Sequence, residues 1–173
     1  MKESSRVRKA ALSEVTSLLT LAQAVQAKLT NAGSVQRIAG YSKQNICERT
    51  ERGELWVLEV CGVVIGSAFV EPVTPERLPQ IVDWNAVPDG CSAWFLYGLV
   101  VHPEHQGEGW GRVLLDSICR QDKFRLPGTL LLDCWAGSMK LRHFYTDSGF
   151  DLHSVFPESG FEIAVFKRNF SGR

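Results

Sequence analysis

The chain has 173 residues, 45% apolar and 22% charged, with nineteen basic side chains balanced by nineteen acidic ones. That length and composition fit one globular domain that buries a core without disulfide or metal staples. A formal net charge of zero gives no electrostatic footprint for nucleic acid or an anionic membrane, so neither partner is expected.

Met1 to Val15 carries Lys2, Glu3, Arg6, Arg8, Lys9 and Glu14 and no apolar stretch of about 7–15 residues that could form a signal-peptide core. The longest apolar run, Ala93 to Val101, is broken by Gly98 and falls short of the roughly 20 residues of a spanning helix. The five cysteines (Cys47, Cys61, Cys91, Cys119, Cys134) are odd in number, scattered and without a C-x-x-C. They are expected to be small buried hydrophobes in a reducing, cytoplasmic setting. No His, Cys and Asp cluster has metal-ligand spacing, and no metal is expected.

Val15, Leu18, Leu19, Ala22, Val25, Gln26 and Leu29 recur at helical spacing, with Ser13 as N-cap and Asn31–Gly33 as the stop. A second helix starts after Ser42 and ends at Gly53. Leu55 to Val60 and Val63 to Val70 are β-rich around a Cys61-Gly62 turn, a hairpin whose Gly66 marks a bulge or close backbone approach. Glu71 to Cys91 holds Pro72, Pro75, Pro79 and Pro88 and reads as a long connection, either a binding loop or a plain solvated crossover. Trp94 to Val101 is apolar on both faces, as in a central strand covered on both sides.

A helix is expected from Trp110 to Gln121, burying Leu114, Leu115, Ile118 and Cys119, with Asp116 and Arg120 paired on its wet face. Thr129 to Trp135 is a further strand. A short helix capped by Ser138 and stopped by Gly149 follows. Two alternating strands, Phe150 to Phe156 and Phe161 to Lys167, end the chain. The order β-α-α-β-β-β-α-β-α-β-β describes a mixed α/β layer over 1–173, without repeats or a second domain.

The chemistry-bearing stretch is Val100-Val101-His102-Pro103-Glu104-His105-Gln106-Gly107-Glu108-Gly109-Trp110-Gly111-Arg112. Its three alternating glycines lie between a buried strand and an amphipathic helix. Glycine permits positive φ and lets a ligand approach the backbone, and the first amides of a helix carry unpaired donors at the positive end of its dipole. Together these make a pyrophosphate cradle, to which Arg112 adds a charge. A dinucleotide-binding fingerprint fits poorly, because Arg112 stands where a glycine belongs and the strand ends too early, although Asp133 falls near the ribose-binding distance. A Walker A loop needs Lys followed by Ser or Thr, and Arg112-Val113 does not supply it.

Gln106-Gly107-Glu108-Gly109-Trp110-Gly111 instead matches Q/R-x-x-G-x-G/A, the coenzyme A signature of the GNAT N-acetyltransferase superfamily. Leu99-Val100-Val101-His102-Pro103 resembles that family's central strand and its exit. Phe144-Tyr145-Thr146-Asp147-Ser148-Gly149-Phe150 resembles its F-Y-x-x-x-G-F segment, and the element order is similar throughout. The resemblance implies a GNAT fold: a mixed, mostly antiparallel central sheet of six to seven strands with helices on both faces.

It further implies acetyl-CoA as acyl donor and a primary amine as acceptor, attacked directly in a ternary complex. The backbone of Leu99, Val100 and Val101 would bind the pantetheine arm. The segment Gln106, Gly107, Glu108, Gly109, Trp110, Gly111 and Arg112 would hold the pyrophosphate, and Tyr145 would protonate the departing thiolate. Relatives place an Asn at the next helix start, where this chain has Ser138. Tyr145 is equally an aromatic on the buried face of its helix, four residues from Leu141. Trp110 either covers the coenzyme or packs, and Trp84, Trp94 and Trp135 either line an acceptor pocket or belong to the core.

Amide formation needs a neutral amine. An alkyl ammonium with a pKa near 10.4 costs about 4–5 kcal/mol to deprotonate at neutral pH, so desolvation or a base must offset it. The strand carries no carboxylate at its start, and Glu71, Asp83, Tyr97 and His102 are the candidate bases. A small-molecule amine is the expected acceptor. A protein or peptide amine, or a non-catalytic coenzyme-binding module, is the alternative. A homodimer through the C-terminal strands is compatible with the pattern, though nothing in it demands one.

Overall fold

The computed structural model describes residues 4–172. Seven strands form one sheet in the order β1-β2-β3-β4-β5-β7-β6. Every pair whose register is defined is antiparallel except β4–β5, so the sheet is mixed and mostly antiparallel, as expected. The chain falls into two compact units, each discontinuous in sequence: one runs through Val70 and resumes over Tyr97–Ile118, the other comprises Glu71–Leu96 and the chain from Cys119 onward.

In the first unit, β1 (Ser5–Lys9) pairs with β2 (Leu55–Val60), and β2 turns back into β3 (Val63–Pro72). Cys61 (φ 49) and Gly62 (φ 81) are both left-handed, the geometry that matches a hairpin's twist. The β2–β3 register shifts at Leu58/Glu59, opposite Gly66 and Val64, so the expected bulge is present. Gly66 also meets the expected close approach, since a Cβ there would lie 3.0 Å from the Val100 carbonyl.

Helix α1 (Val15–Asn31) turns Leu18, Leu21, Ala22 and Val25 inward, and α2 (Lys43–Glu51) contributes Ile46. Leu18, Ile46, Leu55, Val57 and Phe69 make one core cluster, each side chain contributing about 1.5–3 kcal/mol by leaving water. Ser42 caps α2 by accepting from the Asn45 amide at 3.1 Å. Ser13 does not cap α1. The chain enters through a 3-10 turn (Leu12–Glu14), and the Glu14 carboxylate takes the Ala11 amide at 2.8 Å, which moves the capped position back to Ala11.

Strand β4 (Ser92–Val101) leads through a turn into α4 (Trp110–Cys119), which buries Leu114, Leu115, Ile118 and Cys119. The Asp116 carboxylate pairs with Arg112 rather than Arg120, because the helix ends at Cys119 and Arg120 lies beyond its last turn.

In the second unit, β4 pairs in parallel with β5 (Gly128–Trp135) over Ser92–Phe95, and β5 pairs with β7 (Phe161–Phe170), which pairs with β6 (Asp151–Glu158). Half-burial of Trp94, Phe95, Tyr97 and Leu99 limits the expected two-sided cover of β4 to Ala93, Leu96, Val100 and Val101. The connection from β3 to β4 is exposed over part of its length but is not a plain solvated crossover. It contains a short helix, α3 (Pro79–Val82), and packs Leu78, Ile81 and Ala86 on Leu131. Helix α5 (Met139–Asp147) starts at Ser138, whose hydroxyl accepts from the Leu141 amide at 3.3 Å, and stops at Gly149 (φ 83).

Cys119 and Cys134 are buried as expected, but Cys61 and Cys91 are exposed: the first sits in the hairpin turn, the second in the loop before β4. Among the described residues, no helix is long and apolar enough to cross a membrane.

Candidate functional site

In the first unit, β4 ends at Val101 and the His102 amide donates to Ile65 at 2.7 Å, which fixes where the strand stops. Pro103–His105 make a 3-10 turn, with His102 Nδ1 accepting from the Glu104 amide at 3.3 Å. Gln106 then ties the turn to the strand, its Nε2 donating to the Val101 carbonyl at 2.9 Å and its Oε1 accepting from Lys28 Nζ at 2.8 Å. Gly107 (φ 85) and Gly109 (φ 86) both require glycine, and nothing lies within 4 Å of where their Cβ atoms would be.

The amides of Gly107, Glu108 and Gly109 meet no acceptor among the described residues. The Val113 amide donates to the Gly109 carbonyl at 3.2 Å in the first turn of α4. The turn is exposed, carries no side chain at Gly107 or Gly109, and presents backbone donors at the positive end of α4, which suits a phosphate group.

Around this turn the side chains have defined tasks. Trp110 is buried, and its indole N–H donates to Glu108 Oε2 at 2.9 Å. Gly111 is half-buried in the first turn of α4. Arg112 directs Nε at both Asp116 oxygens, at 3.0 and 2.9 Å, so its charge is partly matched. The side chains of Val100 and Val101 are buried and Leu99 is half-buried, which leaves the backbone as the polar component of that stretch.

In the second unit, Tyr145 lies on the inner face of α5, its ring among Phe144, Phe150 and Phe166 at 5.2–6.3 Å. Its hydroxyl has no hydrogen-bond partner among the described residues, yet is not one of the polar atoms sealed from solvent. Burial, with Cys134 and Asp133 nearby, holds the phenol well above its ordinary range, so it stays protonated. Cys134, also raised by burial, to about 11, remains a thiol.

Asp133 precedes Cys134 on β5, so the two side chains point to opposite faces of the strand. It shares its face with Leu131, which the β3–β4 connection covers. Burial, reinforced by Glu158, pushes the Asp133 carboxyl up to about 6; its own backbone amide is the one group that offsets this. A carboxyl held above its ordinary range holds its proton more tightly than a free one.

Of the four bases read from the sequence, Glu71, Tyr97 and His102 have polar partners of their own. Glu71 is buried against Arg77 at 2.7 Å. Asp83 is exposed at the end of α3. Tyr97 stacks on Phe69 at 4.9 Å with its hydroxyl 3.4 Å from Asn45 Nδ2, and His102 caps its turn. Trp84 packs on Phe95 and Phe156, and Trp94 on Phe124.

A family profile described as Acetyltransferase (GNAT) domain matches residues 51–152, more than half of the chain. The chain belongs to the GNAT acetyltransferase family. No curated protein sequence matches it significantly. Among solved structures, a GNAT-family acetyltransferase from Streptococcus agalactiae is similar at a TM-score of 0.76 and 17% identity, over 98% of this chain and 97% of that one. The PaiA N-acetyltransferase of Thermoplasma acidophilum, in complex with coenzyme A, is similar at 0.69 and 16%, over 96% and 99%. A ribosomal-protein-alanine N-acetyltransferase from Brucella melitensis is similar at 0.67 and 18%, over 95% and 99%. At these identities the likeness concerns the GNAT fold.

Sequence reasoning about this GNAT chain placed Gln106 to Arg112 at one helix start and Tyr145 on the buried face of α5. It did not count Asp133 among the candidate bases. Strand alternation with an acidic residue inside an apolar run, Leu130-Leu131-Leu132-Asp133-Cys134-Trp135, was the available signal.

Proposed function

We propose that this GNAT protein transfers an acetyl group from acetyl-CoA to a primary amine of a small molecule by direct attack in a ternary complex. The observation that carries the reading is the turn after Gln106: two glycines at positive φ, open space where their side chains would stand, and three backbone amides that meet no acceptor among the described residues. Those donors would hold the diphosphate of coenzyme A, with the amides of Trp110, Gly111 and Arg112 behind them. The backbone of Leu99, Val100 and Val101 would bind the pantetheine arm, a role supported by the end of the parallel β4–β5 ladder at Phe95. Ser138 spends its hydroxyl on capping α5 and would contribute less to that arm than an Asn.

Coenzyme A supplies an acetyl thioester whose carbonyl accepts the amine. The incoming ammonium must lose a proton, and the raised carboxyl of Asp133 has an affinity that would suit it to that task. A strand amide near Val101 would be the donor to the negative charge that develops on the acetyl oxygen. Tyr145, neutral by burial, would donate its proton to the departing thiolate and regain one from the nitrogen as the amide forms, so that one proton leaves by way of the base. No protein nucleophile is required.

A small acceptor is supported by the formal net charge of zero and by a β3–β4 connection that packs Leu78, Ile81 and Ala86 on Leu131. Thiol release measured with acetyl-CoA against a panel of amines and peptides tests the proposal. Saturable turnover with amines, and none with peptides, is expected. Turnover with peptides alone would replace the acceptor class, and coenzyme binding without turnover on any acceptor would leave a non-catalytic module.

A further inference from the structure

One buried hydroxyl lies outside every motif and acts on the residue just before Leu99. Tyr41, between α1 and α2, sets its ring edge-on to Phe69 at 4.9 Å. Its hydroxyl donates to the Gly98 carbonyl at 2.7 Å and stands 2.5 Å from Ser67 Oγ. One phenolic proton cannot serve both, so with Gly98 accepting it, Ser67 donates to Tyr41. Ser67 is completely buried, and burial also holds the Tyr41 phenol well above its ordinary range. The relay is therefore a neutral donor at every physiological pH.

Gly98 has φ 60 in the middle of a strand, and a Cβ there would lie 2.7 Å from the Ala39 carbonyl and 2.9 Å from Phe69. A left-handed residue within a strand marks a bulge. Side-chain register agrees. Tyr97 and Val100 pack into clusters that both include Tyr41, although residues three apart in a regular strand face opposite ways. The bulge thus decides which way the amides and carbonyls of Leu99 to Val101 point, since a slip of one residue reverses them all.

Gly98 has no side chain with which to hold that state, so its carbonyl bond matters. The loop that delivers Tyr41 is itself anchored: Gln26 accepts from the Ile38 amide at 3.0 Å, and Asn45 Nδ2 donates to the Gly40 carbonyl at 3.0 Å.

We infer that Tyr41, backed by Ser67, is a positioning residue that holds the Gly98 bulge in the one register that aims the Leu99–Val101 backbone at the acetyl thioester. This rests on the acetyl-transfer reading. Tyr41→Phe keeps the ring and loses the donor; its kcat falls about tenfold, the loss expected for one hydrogen bond. The acceptor KM stays within about twofold. Ser67→Ala, which leaves Tyr41 donating to Gly98, falls about threefold. Ile46→Val, in the same core but with no polar group, lowers the thermal midpoint and keeps kcat. The carbonyl carbon-13 shift of Gly98 moves in the first two variants and not in the third.

A Tyr41→Phe chain that keeps the parent kcat, or an unmoved Gly98 shift, overturns the assignment. Should Tyr41→Phe fail to fold, Ser67→Ala at full kcat overturns it equally. A parent chain without turnover sinks the acetyl-transfer reading and the positioning role with it, whereas an active parent matched by Tyr41→Phe sinks the positioning role alone.

Discussion

Asp133 and Tyr145 are shaped by the same physical cause with opposite uses. Burial favours the neutral form of each, which in the proposed mechanism suits the phenol to donate a proton and the carboxyl to accept one near neutrality. Turnover should therefore rise with pH through about 6 as Asp133 ionises, and Asp133→Asn should remove that limb along with at least tenfold of kcat. A profile whose acid limb survives the substitution would assign the base elsewhere. Tyr145→Phe should lower kcat by about tenfold or more with little change in coenzyme affinity, measured by calorimetry alongside turnover. Unchanged turnover would remove its acid role.

The same carboxylate makes a stability prediction of definite sign. Its folded pKa lies above its unfolded one, so the folded chain binds the proton more tightly. Both states are protonated below about pH 4, and the fold loses stability as pH rises from there through about 6. Asp133→Asn should then stabilise the fold by about 1–2 kcal/mol at pH 8 and by nothing at pH 4, read from denaturant midpoints. A variant no more stable at pH 8 would contradict the burial of an unpaired charge.

At the scale of elements, the turn from β4 into α4 works because two glycines occupy backbone conformations that other residues resist. Gly109→Trp should weaken coenzyme A binding by tenfold or more through strain and steric block. Gly62→Ala, at φ 81 in the β2–β3 hairpin, bears similar strain and should leave affinity unchanged. Equal affinity in both variants would contradict the cradle. Local chemistry of this kind was legible in the sequence. The Cys61-Gly62 turn, the Ser42 and Ser138 caps and the glycine-rich helix start each depend on a few neighbouring residues. The start of α1 was not, because a carboxylate three residues on reaches back to Ala11 and outcompetes Ser13. Nor was the Asp116 partner, which depended on where α4 frays.

At the scale of the whole molecule, element order and two motifs were enough for the family and the mixed seven-stranded sheet. Long-range contacts were not readable. The bond from Tyr41 to Gly98 spans 57 residues, and the field on Asp133 comes from Glu158 on another strand. Such groups acquire their chemistry from burial by distant chain, which periodicity does not encode.

The account stands or falls on where coenzyme A binds. A crystal structure with acetyl-CoA should show diphosphate oxygens within about 3.2 Å of the Gly107, Glu108 and Gly109 amides. A diphosphate held elsewhere, with those amides facing only solvent, would contradict it.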